Sequence, residues 1–253
     1  MLHTIAQEFV DLGLTLIVAT TTPALQAAYN ATKNAKEPPV FFNGVSNPYA
    51  AGVAEAPDRH PDWIIGNQLR DPVNETLDLF TTFLPNAASV GVIFNPAEAN
   101  SAYLVEVAEA RTSQLGVVLE KATVANSSEV QTAAEALLTK RIDAYLAISD
   151  NTVMSAFPTL IKVANQNDVP VFGTSASMPP LGAVASFGVN PYQEGHDSGV
   201  MVVKYLEGEL DIAKASIEIQ DSVLLTVNPD AANEQGVEVP DSILQQADRI
   251  IEE

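Results

Sequence analysis

The sequence contains no cysteine, only three histidines and few basic residues. Its 253 residues include 12 lysines and arginines against 32 aspartates and glutamates, a formal net charge of −20. The absence of cysteine excludes disulfides, thiolate nucleophiles and zinc sites built on cysteine. The shortage of positive charge disfavours nucleic acids and anionic membranes, because binding to both depends on lysine and arginine. We therefore expect a protein with no nucleic-acid partner.

Long hydrophobic runs are also missing. No apolar run reaches the roughly 18 residues that a membrane span requires. The opening residues, 1–13, lack the basic segment and the small-residue cleavage site of a signal peptide. Hydrophobic residues nevertheless make up 47% of the chain, which predicts a globular protein with a sizeable core.

The familiar catalytic motifs are absent as well. The sequence has no nucleophile elbow, no phosphate-binding loop, no glycine-rich dinucleotide motif and no H-E-x-x-H metal motif. The three histidines, His3, His60 and His196, are isolated from one another in the sequence. A nucleophile–base pair is hard to assemble from such residues. We therefore expect a binding protein rather than an enzyme, with no metal and no cofactor.

What the sequence does contain is a regular alternation of apolar runs, polar turns and helical segments. The plainest unit begins with Ser89–Phe94, turns at Asn95-Pro96 and continues with helical spacing over 97–110. Shorter runs at 39–42 and 63–66 predict further strands. This alternation predicts an α/β fold with parallel sheets and right-handed crossovers. In such sheets ligands bind at the carboxyl ends of the strands, where these polar turns lie.

Two stretches share one plan. LIVATTTPALQAA is followed by PPVFF, and YLAISDNTVMSAF is followed by VPVFG. Each is an apolar strand, a polar turn of about four residues, a helix and a second strand. This internal similarity predicts two similar α/β units whose polar turns face each other across a cleft.

Eight polar residues in these turns are candidate ligand contacts. They are Thr21, Thr22, Ser46, Asn47, Asn100, Ser101, Asp150 and Asn151. All of these residue types also cap helices or form turns, so each has a purely structural interpretation.

The chemistry of the candidates indicates a zwitterion. Thr20–Thr22 precede a helix start, where free N–H groups can hold a carboxylate without lysine or arginine. Asp150 is the only carboxylate in these turns, and it can either cap a helix or pair with a ligand ammonium. Such a pair of contacts would suit an amino acid. Tyr103, Phe187 and Tyr192 can supply an aromatic wall or pack in the core.

Over nearly its whole length the chain resembles a known family. The segments that carry the resemblance are LIVATTTPALQAA, PPVFFNGVSNPYAAGV, VGVIFNPAEANS, AISDNTV, VPVFG, GVNPYQEGHDSGVMVVKYLEGE and VNPDAANEQGVEVPDSILQQAD. They are similar to the substrate-binding proteins of ABC transporters of the tryptophan/tyrosine, TrpX-like, family. The resemblance implies two Rossmann-like lobes of the type I periplasmic-binding-protein fold, joined by a hinge. It implies capture of a small molecule, an amino acid of the aromatic class, for delivery to an ABC permease and its ATPase.

The resemblance also sets expectations for boundaries and location. Lobe one is expected at 1–85 plus about 190–228 and lobe two at 86–189, with 229–253 crossing back. Family members begin with a signal or lipoprotein segment, then a strand and a helix, so we expect an N-terminally truncated chain that lacks the first strand of lobe one. The full-length protein is expected in the periplasm or anchored outside the cell. Asn190-Pro191-Tyr192 departs from the family pattern, which often has aromatic residues before a glycine.

Two other functions stay open at this point. A ligand-sensing domain of a regulator or receptor can have the same fold. An α/β enzyme acting on sugars or nucleotides is the second, and the missing acid–base residues count against it.

Overall fold

A computed structural model describes residues 1–252 and divides the chain into two compact α/β units. The helices are α1 (Leu2–Asp11), α2 (Thr22–Thr32), α3 (Val73–Phe83), α4 (Ala99–Leu115), α5 (Val130–Thr139), α6 (Asn151–Met154), α7 (Phe157–Gln166), α8 (Pro191–Leu206), α9 (Pro229–Glu234) and α10 (Asp241–Gln246). The strands are β1 (Ile17–Thr20), β2 (Val40–Val45), β3 (Ile64–Leu69), β4 (Ser89–Phe94), β5 (Val118–Thr123), β6 (Ala144–Ala147), β7 (Val171–Gly173), β8 (Ala185–Val189), β9 (Glu218–Gln220), β10 (Val223–Val227) and β11 (Arg249–Ile250).

Unit 1 comprises Met1–Arg70 and Pro191–Asp221 and is built on a four-stranded parallel sheet. The strand order is β1-β2-β3-β9, and α2 and α8 pack against β2. Phe41, Phe42 and Ile65 fill the core because these β-branched and aromatic residues suit a buried strand. Within the described residues β1 pairs with β2 alone, so β1 is an edge strand of this sheet. The side chain of Val18 in β1 is 50% exposed.

Unit 2 comprises 71–190 and the residues from Ser222 onward, and holds a seven-stranded sheet. The strand order is β11-β10-β8-β7-β6-β4-β5, and every pairing is parallel except that of β10 with β8. Helices cover both faces, so β4 and β6 read as continuous apolar runs. Two clusters of buried side chains form its core.

The compact units differ from the expected domain boundaries. Residues 71–85 and 222–228 were expected in lobe one, whereas the structure groups both with the larger sheet. The physical reason is packing, because α3 contacts β6, β7 and β8, and β10 pairs with β8. The strand expected at 63–66 also runs on as β3 to Leu69, which brings Arg70 to a strand end.

Candidate functional site

In unit 2 the turns after β4 and β6 are joined by hydrogen bonds at the carboxyl edge of the sheet. The backbone N–H of Asn95 donates to Asp150 Oδ2 at 2.7 Å, and Asn95 Nδ2 donates to Thr152 Oγ1 at 3.0 Å. The two strands are neighbours in the sheet, which places their turns side by side. The two turns that adjoin the sequence-predicted residues of this unit are therefore held together.

Asp150 is a helix cap in this arrangement. Its Oδ1 accepts the N–H of Val153 at 2.7 Å, and the residue is 0% exposed. Burial raises the pKa of Asp150, and the hydrogen bonds from Asn95, Val153 and Ser101 offset that effect only in part. Both oxygens are engaged by the protein, so the geometry favours the capping interpretation over a bond to a ligand ammonium.

Glu98, which the sequence analysis did not select, binds the start of α6. Its Oε2 accepts the backbone and side-chain N–H of Asn151 at 3.0 and 2.6 Å. Its Oε1 accepts the N–H and the hydroxyl of Thr152 at 2.9 and 2.7 Å. Burial acts to raise the pKa of Glu98, but the four hydrogen bonds together hold it below its usual value.

The remaining candidates of unit 2 lie beside this network. Asn100 Nδ2 donates to the carbonyl of Ser149 at 2.7 Å and to Ser101 Oγ at 3.3 Å. Asn100 is 3% exposed, and its Oδ1 has no hydrogen-bond partner within residues 1–252. The Ser149 hydroxyl donates to Asp71 Oδ1. Among the predicted site residues of unit 2, Asn100 is thus the one with a buried side-chain oxygen that accepts no hydrogen bond within residues 1–252.

In unit 1 the start of α2 is not capped by the side chain of its N-cap residue. Thr21 occupies the N-cap position with φ 84° and ψ 155°, and its own side chain makes no capping hydrogen bond. Thr22 is 1% exposed, and its Oγ1 has no hydrogen-bond partner in the described chain. The first N–H groups of a helix need partners from outside it, so an oxygen-bearing group fits here.

The other candidates of unit 1 are used locally. Asn47 Oδ1 accepts the N–H groups of Tyr49 and Ala50 at 3.0 and 2.9 Å, a turn of the kind that asparagine often forms. Ser46 is 4% exposed, and its carbonyl accepts Gln68 Nε2 at 2.8 Å. That bond fixes the amide of Gln68, whose Oε1 is buried and has no partner among residues 1–252.

A carboxylate that the sequence analysis missed lies next to the start of α2. A β-carbon built on Gly44 would lie 3.4 Å from Glu194 Oε1 and 3.5 Å from the backbone nitrogen of Thr21. Gly44 has φ +61°, a conformation that favours glycine. One turn further along α8, Asp197 Oδ2 accepts Gln220 Nε2 at 2.6 Å, and Gln220 Oε1 is buried without a partner in the described residues. Glu194 escaped notice because it lies far from Thr21 in the sequence.

The three aromatic candidates have different environments. Tyr103 and Phe187 are partly buried against the core of unit 2. Tyr192 is 78% exposed, and its ring lies 6.4 Å from that of His196. Tyr192 is therefore the candidate whose ring is accessible.

Neither a metal-binding cluster nor a membrane-spanning helix is found among residues 1–252. Residues 1–252 contain no group of three or more His, Asp or Glu side chains placed to hold a metal ion. Among these residues no helix combines the length and apolar character needed to cross a bilayer.

Comparison with known proteins identifies the family. A tyrosine-binding protein of Clostridioides difficile strain R20291 is 30% identical over 228 residues, 90% of this chain and 65% of that protein's length. A conserved domain protein from Vibrio cholerae is 32% identical with TM-score 0.92, covering 99% of this chain and 83% of the other. An ABC domain from Streptococcus pneumonia, solved in complex with L-Trp, is 25% identical with TM-score 0.91 and the same coverage. These likenesses confirm the predicted α/β fold, and this chain spans just under two thirds of the curated relative. The family model for ABC transporter substrate binding proteins matches residues 1–251, and the chain belongs to that family.

Proposed function

We propose that this protein is the solute-capturing component of an ABC importer and that its ligand is an amino acid with an aromatic side chain. Capture is reversible and leaves the ligand chemically unchanged. The relatives support this proposal, since one is named for tyrosine and another was solved with L-Trp. The importer's other parts, a membrane permease and its ATPase, are the expected partners, and the site of action is outside the cytoplasm.

The observation that carries the proposal is the unpartnered hydroxyl at the start of α2. The buried hydroxyl of Thr22 has no partner in the described chain, and the side chain of Thr21 at the N-cap makes no capping hydrogen bond. The corresponding helix of unit 2, α6, already receives the carboxylates of Asp150 and Glu98. We therefore assign the ligand carboxylate to Thr21 and Thr22.

A ligand panel tests this function. Thermal melting with L-tryptophan, L-tyrosine, L-leucine, D-glucose and adenine should raise the midpoint only with the aromatic amino acids, because a ligand that binds the folded form stabilises it. Tryptamine and tyramine, which lack the carboxylate, should raise the midpoint far less. Stabilisation by glucose or adenine alone would contradict the proposal.

Thr22→Val tests the same contact from the side of the protein. It removes a buried hydroxyl that has no partner, so the free energy of unfolding should change by less than about 1 kcal/mol. We expect the dissociation constant for the aromatic amino acid, measured by calorimetry, to rise about tenfold. Thr226→Val is the control, since Thr226 is 0% exposed and its hydroxyl also has no partner in the described chain, but it lies in β10. Equal affinities of the two variants would argue against a ligand at α2.

A further inference from the structure

We infer that the outer edge of β1 is a docking site for an extended, mainly apolar segment of another protein that carries lysine or arginine at its ends. Such a segment joins the sheet of unit 1 as an added strand and is held by main-chain hydrogen bonds. The inference concerns a protein partner, and it does not depend on the small-molecule ligand proposed above.

The backbone of β1 offers hydrogen-bonding groups on the side away from β2. The N–H of Ile17 donates to the Pro39 carbonyl at 2.9 Å, so Ile17 faces the β2 side. Because successive residues of a strand direct their N–H and C=O groups to opposite sides, Val18 and Thr20 direct theirs away from β2. Within residues 1–252 no strand pairs with β1 on that side. These groups fit the backbone of an added strand.

β1 differs from the other edge strands of the described chain in having no charged residue. At the far end of the same sheet β9 carries Glu218, and the outer strands of unit 2 carry Glu120 and Lys121 in β5 and Arg249 in β11. Charged side chains on an edge strand oppose its pairing with other strands. β1 has the sequence IVAT and lacks this protection, so it is the edge at which strand addition is least opposed.

The side chains near this edge favour an apolar partner. Leu12, Leu14 and Val18 are large hydrophobic residues that are exposed in β1 or shortly before it. A strand added beside β1 places every second side chain on the face of the sheet that carries Val18. Apolar residues at those positions shield this surface from water, which stabilises the pairing.

The charge of the protein selects the kind of partner. Residues 1–32, which contain α1, β1 and α2, include the exposed acids Glu8 and Asp11 and no lysine or arginine. The whole chain carries a net charge of −20, so a second copy meets like charge at this surface. A segment with basic ends meets opposite charge instead. The edge therefore suits a basic partner rather than another copy of this chain.

Titration with fluorescein-labelled peptides tests the inference. The probes are KVTVTVK, EVTVTVE and KVPPPVK, and binding to the full chain is followed by fluorescence anisotropy at low salt. We expect the lysine-flanked KVTVTVK to bind at least about tenfold more tightly than the glutamate-flanked EVTVTVE, because only its ends are opposite in charge to the protein. KVPPPVK should also bind at least about tenfold more weakly than KVTVTVK, because its prolines lack N–H donors.

Variants of β1 locate the contact. Val18→Pro removes an N–H that faces away from β2 and leaves the bonds to β2 in place, so we expect it to weaken KVTVTVK binding by about tenfold or more. Thr123→Pro is the matched control in the edge strand β5. The N–H groups of Val118 and Val124 donate to residues 88 and 94 on the β4 side, so Thr123 faces outward, and its replacement should change the affinity by less than about twofold.

Val18→Lys keeps the test decisive if the proline variant does not fold. It leaves every backbone N–H in place at an exposed position and adds a charge that repels the basic peptide. We expect KVTVTVK binding to weaken by about tenfold in this variant as well. Circular dichroism of each variant verifies the fold.

Three results would overturn the inference. The first is no rise in anisotropy with KVTVTVK up to about 1 mM. The second is equal affinity of KVTVTVK for the wild-type protein and the folded Val18 variants, or equal affinity of the wild type for KVTVTVK and EVTVTVE. The third comes from sedimentation velocity of the protein alone, where a dimer that the Val18 variants abolish would assign the edge to a second copy.

Discussion

At the scale of single residues, Thr21 is held in a costly backbone conformation. Its φ of 84° and ψ of 155° lie in a region that a β-branched residue rarely adopts. Such conformations cost about 1–3 kcal/mol and persist only where the surroundings enforce them. Here the N–H of Thr21 donates to the Asn43 carbonyl at 3.1 Å. The strain coincides with the residue to which we assign the ligand carboxylate.

Replacing Thr21 by glycine should release that strain. We expect Thr21→Gly to raise the free energy of unfolding by about 1 kcal/mol, since glycine adopts the conformation freely but loses more entropy on folding. Urea denaturation monitored by circular dichroism measures the change. Thr20→Gly is the control at the end of β1, where φ is negative, and it should destabilise the protein. A destabilisation of equal size in both variants would show that Thr21 is unstrained.

At the scale of elements, α6 depends on groups outside itself. A helix of four residues cannot stand alone, because a helix shorter than about 12 residues is marginal in water. Asp150 and Glu98 supply acceptors to its first N–H groups, and the negative charge suits the positive end of the helix. The turn after β4 is thereby fastened to the turn after β6.

The contribution of Glu98 should depend on pH. Its pKa is lowered in the folded protein, so the stabilisation is present above the ordinary carboxyl pKa of about 4.3 and is lost as the pH falls through the lowered value. We expect Glu98→Gln to reduce the free energy of unfolding by about 1–3 kcal/mol at neutral pH and by less near pH 3. Urea titrations at the two pH values measure this difference.

Glu8→Gln is the matched control for Glu98. Glu8 is exposed on α1, so its replacement should change the free energy of unfolding by less than about 0.5 kcal/mol at both pH values. A loss for Glu98→Gln that is independent of pH would mean that the charge of the carboxylate contributes nothing.

At the scale of the whole molecule, the net charge of −20 opposes folding through self-repulsion. We expect the melting temperature to rise when sodium chloride is increased from about 10 mM to about 500 mM, because salt screens exposed charges. Choline chloride should act in the same way if screening is the cause. A rise with sodium alone would contradict this and indicate bound cations.

Local pattern predicted much of the fold and part of the site. The apolar run 89–94 and the turn at Asn95-Pro96 predicted β4 and the start of the next helix, since both signals lie within a few residues. The contacts of Glu98 and the position of Glu194 beside Gly44 were not predictable, because the neighbours of both residues are distant in sequence and depend on strand order. The extension of β3 was hidden by Asn67 and Gln68, whose polarity reads as a turn.

Domain boundaries were harder to predict from the sequence, because they also depend on contacts between distant segments. The apolar stripe of α3 predicts a buried helix face but not the sheet that buries it. Only the observed packing of α3 on the seven-stranded sheet assigns residues 71–85 to unit 2.

The outer side of β1 has a consequence for handling the protein. In the described chain β1 pairs on one side, so the other side offers N–H and C=O groups to any extended strand. Mutual repulsion between highly acidic molecules keeps such strands apart at neutral pH. Acidification towards the isoelectric point removes that barrier, so purification and storage are best kept well above it to avoid β-type precipitates.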